Sequence, residues 1–284
     1  MDACTSPWHG RRVLVTGCTG FLGHAVTREL LDRGAIVAGL VRDTSGCVDF
    51  TRERDAGQFR AIRGRIEDRG RLHSAMAIHE ASVVFHLASA NPLGHNQGTD
   101  EVREAAALYH TRVPVIIARP AGQLRLMADE EPLPAPPLGT ARFGELFGGG
   151  DRKLSRVVPR TVTALLNGES TTSTDSRTRD FVFVRDAARA CLALAEAVGT
   201  RGESLDCVFR SGCERSDQEM TKLVADLFAG KSPVDVEAET ASNPFGWRPS
   251  LPLGGALAET IAWYREFMRT RFAGPRTAAH RRVA

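Results

Sequence analysis

The sequence predicts an α/β fold, a doubly wound parallel sheet with a small C-terminal α/β lobe. Three observations predict it. An apolar run, a glycine-spaced turn, an amphipathic stretch and a second apolar run follow one another within residues 12–43. Short apolar runs and helical patterns then alternate to about residue 150, the order that strand–helix–strand crossovers produce. Beyond it the chain changes character, with capped helical patterns around one further strand run.

The opening unit carries the most chemistry. Val13-Leu14-Val15 suits a strand buried on both faces. Gly17, Gly20 and Gly23 follow, then Leu22, Val26 and Leu30 on one helical face, with Gly34 at the expected C-cap and 36–41 as the second strand. Such a unit binds phosphate. Gly17 permits a tight turn, Gly20 lets the backbone reach a pyrophosphate, and Gly23 lets the helix pack close to the strand. The helix N-terminus then offers N–H groups and partial positive charge to the anion. A glycine turn that binds nothing is the alternative.

Residues 59–63 read as a third strand, 66–78 as a helix, 82–87 (SVVFHL) as a fourth strand, 100–109 as a short helix and 113–118 (VPVIIA) as a fifth strand. The four prolines of 131–138 (EPLPAPPL) demand an extended loop. Residues 1–150 thus form a shortened Rossmann-like dinucleotide-binding domain, and 151–284 a second lobe partly interleaved with it. In that lobe Pro159 suits the first position of a helix running to 166, ended by Asn167-Gly168. Residues 181–184 read as a strand and 187–197 as a helix. Ser216 and Glu219 have capping-box spacing ahead of Met220, Leu223, Val224 and Leu227. A last helix over 253–268 places Leu257, Ile261 and Tyr264 on one face, and the tail from Gly274 is expected to fray.

Composition bounds the function. Over 284 residues, 42% hydrophobic and 25% charged content is that of an ordinary globular protein, and a net charge of +3 gives no ground for nucleic-acid binding. Cysteines at 4, 18, 47, 191, 207 and 213 show no metal-ligand spacing and read as reduced core thiols, so no metal is expected. With no membrane-length apolar stretch and no signal-peptide core at 1–11, a cytoplasmic protein is expected.

At several ordered motifs the chain resembles the extended short-chain dehydrogenase/reductase family, above all its NAD(P)-dependent nucleotide-sugar 4,6-dehydratases and epimerases. TGCTGFLG at 16–23 resembles TGxxGFxG, FHLAS at 85–89 the HLAA segment, and FGGGD at 147–151 the YGGGD of some members. RDFVFVRD at 179–186 resembles RDFxxVxD, and FGWRPSLPL at 245–253 with the final IAWYREF resembles the C-terminal signature. The resemblance implies an NAD or NADP cofactor held by Thr16, Gly17, Thr19, Gly20, Phe21, Leu22 and Gly23, with Arg42, Leu87 and Ala88 beside it. It implies a nucleotide-sugar partner bound by the second lobe, with Arg179 and, more weakly, Arg156 on its phosphates.

The likeness breaks between Ala118 and Arg142. There the family has a strand ending in serine or threonine and then a helix carrying YxxxK, whose tyrosine is the general base and whose lysine lowers its pKa. This chain has two tyrosines, Tyr109 and Tyr264, followed four residues later by Val113 and Met268, and its first lysine is Lys153. Aligning VIIARPAG (115–122) with the fifth strand and 140–151 with the sixth leaves no residues for that helix, so the segment reads as deleted. The connection 94–102 also reads as short. Glu145 stands for the family's asparagine, Phe147 for its tyrosine, and Gly64-Arg65 for the Gly-Asp whose aspartate meets adenine.

Single residues carry two readings each. Arg42 beside Val41 favours NADP slightly, against a solvated pair with Asp43. His86 at the sheet's carboxyl edge has the look of a base, but the HLAA likeness makes it structural. Cys18 is either reactive at a helix N-terminus or a small loop filler. Arg179 suits a diphosphate, or pairs with Asp180 at the surface. Three functions follow: an enzyme of the family's type, catalytically impaired; a non-catalytic relative binding a nucleotide or a protein partner; or a decayed gene product. Of the two helices that pair in the family's dimer, one reads as shortened and the other as absent, which predicts no such dimer and apolar surface left under-covered on the fourth to sixth strands.

Overall fold

The structure, a computed structural model, describes residues 6–43, 50, 57–88, 97–122, 135–231 and 242–272. Seven strands form the main sheet: β1 (Arg12–Thr16), β2 (Ile36–Val41), β3 (Phe59–Arg63), β4 (Val83–His86), β5 (Val115–Pro120), β6 (Leu138–Phe143) and β9 (Leu205–Val208). Their order is β3-β2-β1-β4-β5-β6-β9, and every pairing is parallel. The order reverses between β1 and β4, the switch point where such sheets bind ligands. A second sheet of β7 (Glu145–Phe147), β8 (Thr178–Phe183) and β10 (Glu214–Ser216) has the order β10-β8-β7.

Alternation along each strand divides the core into two layers. Val13, Val15, Val37, Val83, Phe85, Ile116, Ala141 and Phe143 point to one face, covered by α1 (Phe21–Asp32) and α5 (Val184–Arg201). Leu14, Ala38, Leu40, Val84, Val115 and Ile117 point to the other, under α2 (Arg69–His79) and α3 (Gln97–Tyr109). Trp8 closes the first layer: fully buried, it lies 5.9 Å from the Phe85 ring and donates its indole N–H to Glu196 Oε1 at 2.5 Å.

Two compact units divide the chain: Met1–Leu146 with Asp180–Cys213 and Glu239–Ser250, and Phe147–Arg179 with Glu214–Ala238 and Leu251–Ala284. The second is built on α4 (Val157–Leu166), α6 (Asp217–Phe228) and α7 (Leu253–Phe272), which bury Val158, Val162, Met220, Val224, Leu257 and Ile261. Ser216 and Glu219 form the expected reciprocal capping box on α6. Trp263 stacks on Phe267 at 4.9 Å, and Gly149 lies so close that a Cβ there would meet the indole at 2.5 Å.

Several boundaries differ from expectation for local reasons. α2 starts at Arg69, not residue 66, because the Asp68 side chain accepts the Arg71 N–H at 2.9 Å and caps the helix there. Pro159 is the third residue of α4, still within the first turn, where no backbone N–H is needed. α5 begins at Val184 directly after β8 and runs to Gly202, whose φ of 69° ends it. β7, β9 and β10 are three or four residues long, too short to show a sequence period. The proline-rich 131–134, the 94–96 end of the connection before α3 and the tail from Gly274 lie outside the described residues. No described helix is long and apolar enough to cross a membrane.

The expected apolar strip on the fourth to sixth strands is corrected. Among the described residues the exposed large apolar side chains are Ile78, Leu108, Leu154, Val208 and Phe245, none of them on β4, β5 or β6. On β4 and β5 that face is buried, and on β6 it carries Thr140 and Arg142. The Arg142 guanidinium binds Asp206 of β9 through two hydrogen bonds, Nε–Oδ1 at 2.6 Å and Nη2–Oδ2 at 2.9 Å.

Candidate functional site

The turn after β1 is organised around one carbonyl, that of Gly17. Gly17 has φ +75°, and a Cβ there would lie 2.4 Å from the Ala88 N and 2.6 Å from the Leu87 carbonyl carbon, so only glycine fits. Its carbonyl accepts the Gly20 N–H at 2.9 Å. A Cβ on Gly23 would stand 2.0 Å from the same oxygen, which is what holds the first turn of α1 against the end of β1. Gly20 caps α1 without a side-chain hydrogen bond, and the first turn holds no acidic residue, so nothing in it offsets the positive end of the helix dipole. A Cβ on Gly20 would meet only the Gly17 oxygen, at 3.2 Å. Bare backbone at a helix N-terminus fits the pyrophosphate of a dinucleotide.

The sheet gathers Thr16–Gly23, Leu87 and Ala88 at this edge, since Thr16 pairs with His86 in the β1–β4 register and the Leu87 N–H donates to the Thr16 carbonyl at 3.0 Å. Thr19 is exposed, whereas Phe21, Leu22, Leu87 and Ala88 are half-buried. The Thr16 hydroxyl is turned inward, 2.7 Å from His86 Nδ1. Burial, with a smaller contribution from the Arg119 charge, lowers the His86 pKa to about 4. Burial and the tie to Thr16 fit the structural reading of His86. Cys18 is fully buried in the turn, as a filler would be.

Arg42 follows Val41 at the carboxyl end of β2 and is exposed. Val41 pairs with Arg63, and the Gly64 N–H donates to the Val41 carbonyl at 2.9 Å, which sets the end of β3 beside Arg42. Between that end and the first turn of α2 lies a cleft of about 460 Å³, lined by Arg63, Gly64, Arg65, Asp68, Arg71 and Ser74. Sequence reasoning missed it as a site. The available signal was four arginines among residues 63–71, three of them on the cleft, where the family places an aspartate.

Arg156 and Arg179 belong to the second unit, and both are engaged there. Arg156 Nη1 lies 3.0 Å from the buried carboxylate of Asp151. Arg179 binds Asp175 at 3.0 Å and also Asp217. Hydrogen bonds from Arg177, and then Arg179, hold the Asp175 carboxyl well below the usual range. Asp180 is not the partner of Arg179: it accepts the Ser211 hydroxyl at 2.6 Å and the Ser211 N–H at 3.0 Å.

The two tyrosines stand on α3 and α7. Tyr109 ends α3 just ahead of β5, at the amino edge, with its ring edge-on to His73 at 6.4 Å. Tyr264, in α7 of the second unit, donates its hydroxyl to the Asp151 carbonyl, and burial raises its pKa. β5 ends in Ala118-Arg119-Pro120, without a hydroxyl.

The sequence matches the family described as NAD dependent epimerase/dehydratase over residues 13–115 and 138–206. It is 24% identical over 312 residues to a UDP-glucose 4-epimerase of Mycolicibacterium smegmatis, covering 89% of this chain and 98% of that one. It is 20% identical over 334 residues to a CDP-glucose 4,6-dehydratase of Salmonella typhimurium, covering 92% of each. The fold matches, with a TM-score of 0.74 and 16% identity, a UDP-glucose-4-epimerase of Stenotrophomonas maltophila with bound NAD and formylated UDP-arabinopyranose, over 92% of this chain and 99% of that one. A glycine turn at the switch point of a β3-β2-β1-β4-β5-β6-β9 sheet, and a family match that resumes at β6, lead to one conclusion: the chain belongs to the NAD dependent epimerase/dehydratase family.

Proposed function

We propose that this chain holds NAD(P) at the turn after β1 and does not carry out the hydroxyl oxidation for which its relatives use a tyrosine and a lysine. Thr16, Gly17, Thr19, Gly20, Phe21, Leu22 and Gly23 cradle the pyrophosphate, Leu87 and Ala88 flank it, and Arg42 meets the ribose. Bound, the cofactor supplies a hydride acceptor. Residues 151–284 take the nucleotide sugar, with Arg179 and Arg156 exchanging their carboxylate partners for its phosphates.

One observation carries the reading: neither tyrosine in the sequence has a lysine four residues on. A hydroxyl proton must leave as hydride departs. Tyr109 ends α3 at the amino edge of the sheet, and the Tyr264 hydroxyl is committed to Asp151. The first lysine is Lys153, past the last strand that precedes the second unit. The short connection from β5 to β6, residues 121–137, supports a deletion of the helix that would carry YxxxK, and with it loss of the family's paired-helix dimer.

The test joins calorimetry to turnover. NAD is titrated into the full chain, which is then incubated with NAD and UDP-, CDP-, GDP- or dTDP-glucose. Binding without a 4-keto product or an epimer is the expected result. Formation of either product overturns the proposal, and absence of heat at millimolar nucleotide overturns its first half.

A further inference from the structure

Among the described residues, the cleft at the end of β3 is lined by more positive than negative charge. Arg63, Arg65 and Arg71 line it, with Asp68 the one carboxylate among the described lining residues, and that carboxylate accepts the Arg71 N–H at 2.9 Å as the cap of α2. Arg71 Nε donates to the Arg63 carbonyl at 3.0 Å, which holds the guanidinium over the strand end. Arg65 touches Glu67 only at 3.4 Å in an exposed pair, the kind worth little and easily displaced. Arg69 stands apart, committed to Glu101 at 3.0 Å and to Glu104 of α3. Gly64 packs under the Arg71 stem, where a Cβ would meet Arg71 Cγ at 2.8 Å.

The position of the cleft selects its ligand. Strands in a sheet lie about 4.8 Å apart. With the pyrophosphate at the end of β1, the adenosine ribose falls at the end of β2, beside Arg42. Gly64 hydrogen-bonds to Val41, so Arg63 and Arg65 stand one strand further on. A group projecting from a ribose there toward β3 would meet the cleft. Guanidinium groups lining one cleft favour a phosphate dianion over a hydroxyl. We infer that Arg63, Arg65 and Arg71 form a receptor for a phosphate monoester on the adenosine ribose, so that the chain takes NADP(H) in preference to NAD(H). The inference rests on the reading of the glycine turn as a dinucleotide cradle.

Calorimetric titration of the full chain with NAD and with NADP, for the wild type, Arg65→Glu and Arg71→Ala, tests both levels separately. Arg65 has a 72% exposed side chain, so its reversal leaves the fold intact, as circular dichroism will verify. NADP should bind at least tenfold more tightly than NAD. Arg65→Glu should reduce that ratio at least tenfold while NAD affinity stays within twofold, and the ratio should narrow as KCl is raised. NAD binding equal to or tighter than NADP overturns the inference and leaves the cradle standing. A preference for NADP unmoved by Arg65→Glu and Arg71→Ala puts the phosphate elsewhere and also overturns it. If neither nucleotide binds, the cradle reading itself fails and the inference falls with it.

Discussion

Gly23 and Gly20 occupy the same turn, yet alanine at each should do different damage. At Gly23 the new Cβ would sit 2.0 Å from the Gly17 oxygen and 2.7 Å from its carbonyl carbon. A tolerable C···O contact is about 3.3 Å, so α1 must retreat from β1 by roughly 1.3 Å. Both contacts are backbone, and no side chain can swing away. Overpacking of this kind costs about 3 kcal/mol, against which alanine's helix propensity returns about 1 kcal/mol. The net loss of about 2 kcal/mol should lower the melting temperature by roughly 4–8 °C in a protein of this size. At Gly20 the only contact is the Gly17 oxygen at 3.2 Å, so stability should fall by less than about 1 kcal/mol, the cost of a poor cap. There the loss should appear in nucleotide affinity, and Gly20→Val should abolish binding. Thermal melts by circular dichroism with parallel NADP titrations separate the two. A Gly23→Ala protein that melts like the wild type, or a Gly20→Ala protein that melts lower than Gly23→Ala, would refute the packing argument.

The His86 pKa of about 4, against 6.5 unfolded, means that the unfolded chain binds the extra proton as pH falls through 6.5 and the folded chain does so only near 4. Stability should therefore drop by about 3 kcal/mol across that window, a component missing from His86→Gln in urea titrations at stepped pH. Asp206→Ala strands the Arg142 guanidinium and should cost about 2 kcal/mol, below the roughly 3–5 kcal/mol of a fully buried pair because Asp206 keeps 26% of its side chain exposed. Removing both partners together, as Arg142→Met with Asp206→Ala, should recover part of that loss in the same unfolding assay.

What could be read from the sequence was whatever is encoded within about ten neighbouring residues. The glycine turn, the strand–helix alternation and the Ser216–Glu219 capping box all depend on close spacing, and each stands as expected. What escaped depends on partners distant in sequence. β9 exists because it completes the edge of β6, pairing Gly139 with Leu205, and its four residues show no period of their own. The polar face of β6 makes sense only once Arg142 is seen beside Asp206. Asp180, one of two partners the sequence offers Arg179 beside a diphosphate, instead binds Ser211, and the fold gives Arg179 Asp175 and Asp217, the latter 38 residues away. The arginine cleft likewise needs the β2–β3 register to bring residues 63–71 beside Arg42.

The three tryptophans are divided between the two units: Trp8 and Trp247 in one, Trp263 in the other. Each indole sits in a distinct setting, Trp8 held by Glu196, Trp247 donating to the Asp186 carbonyl at 3.0 Å, and Trp263 stacked on Phe267. Intrinsic emission is therefore already addressable by unit. A Trp263→Phe protein glows from the nucleotide-edge unit alone, and a Trp8→Phe, Trp247→Phe protein from the helical unit alone. Comparing their emission as urea is raised would show whether the units come apart in one transition or in two.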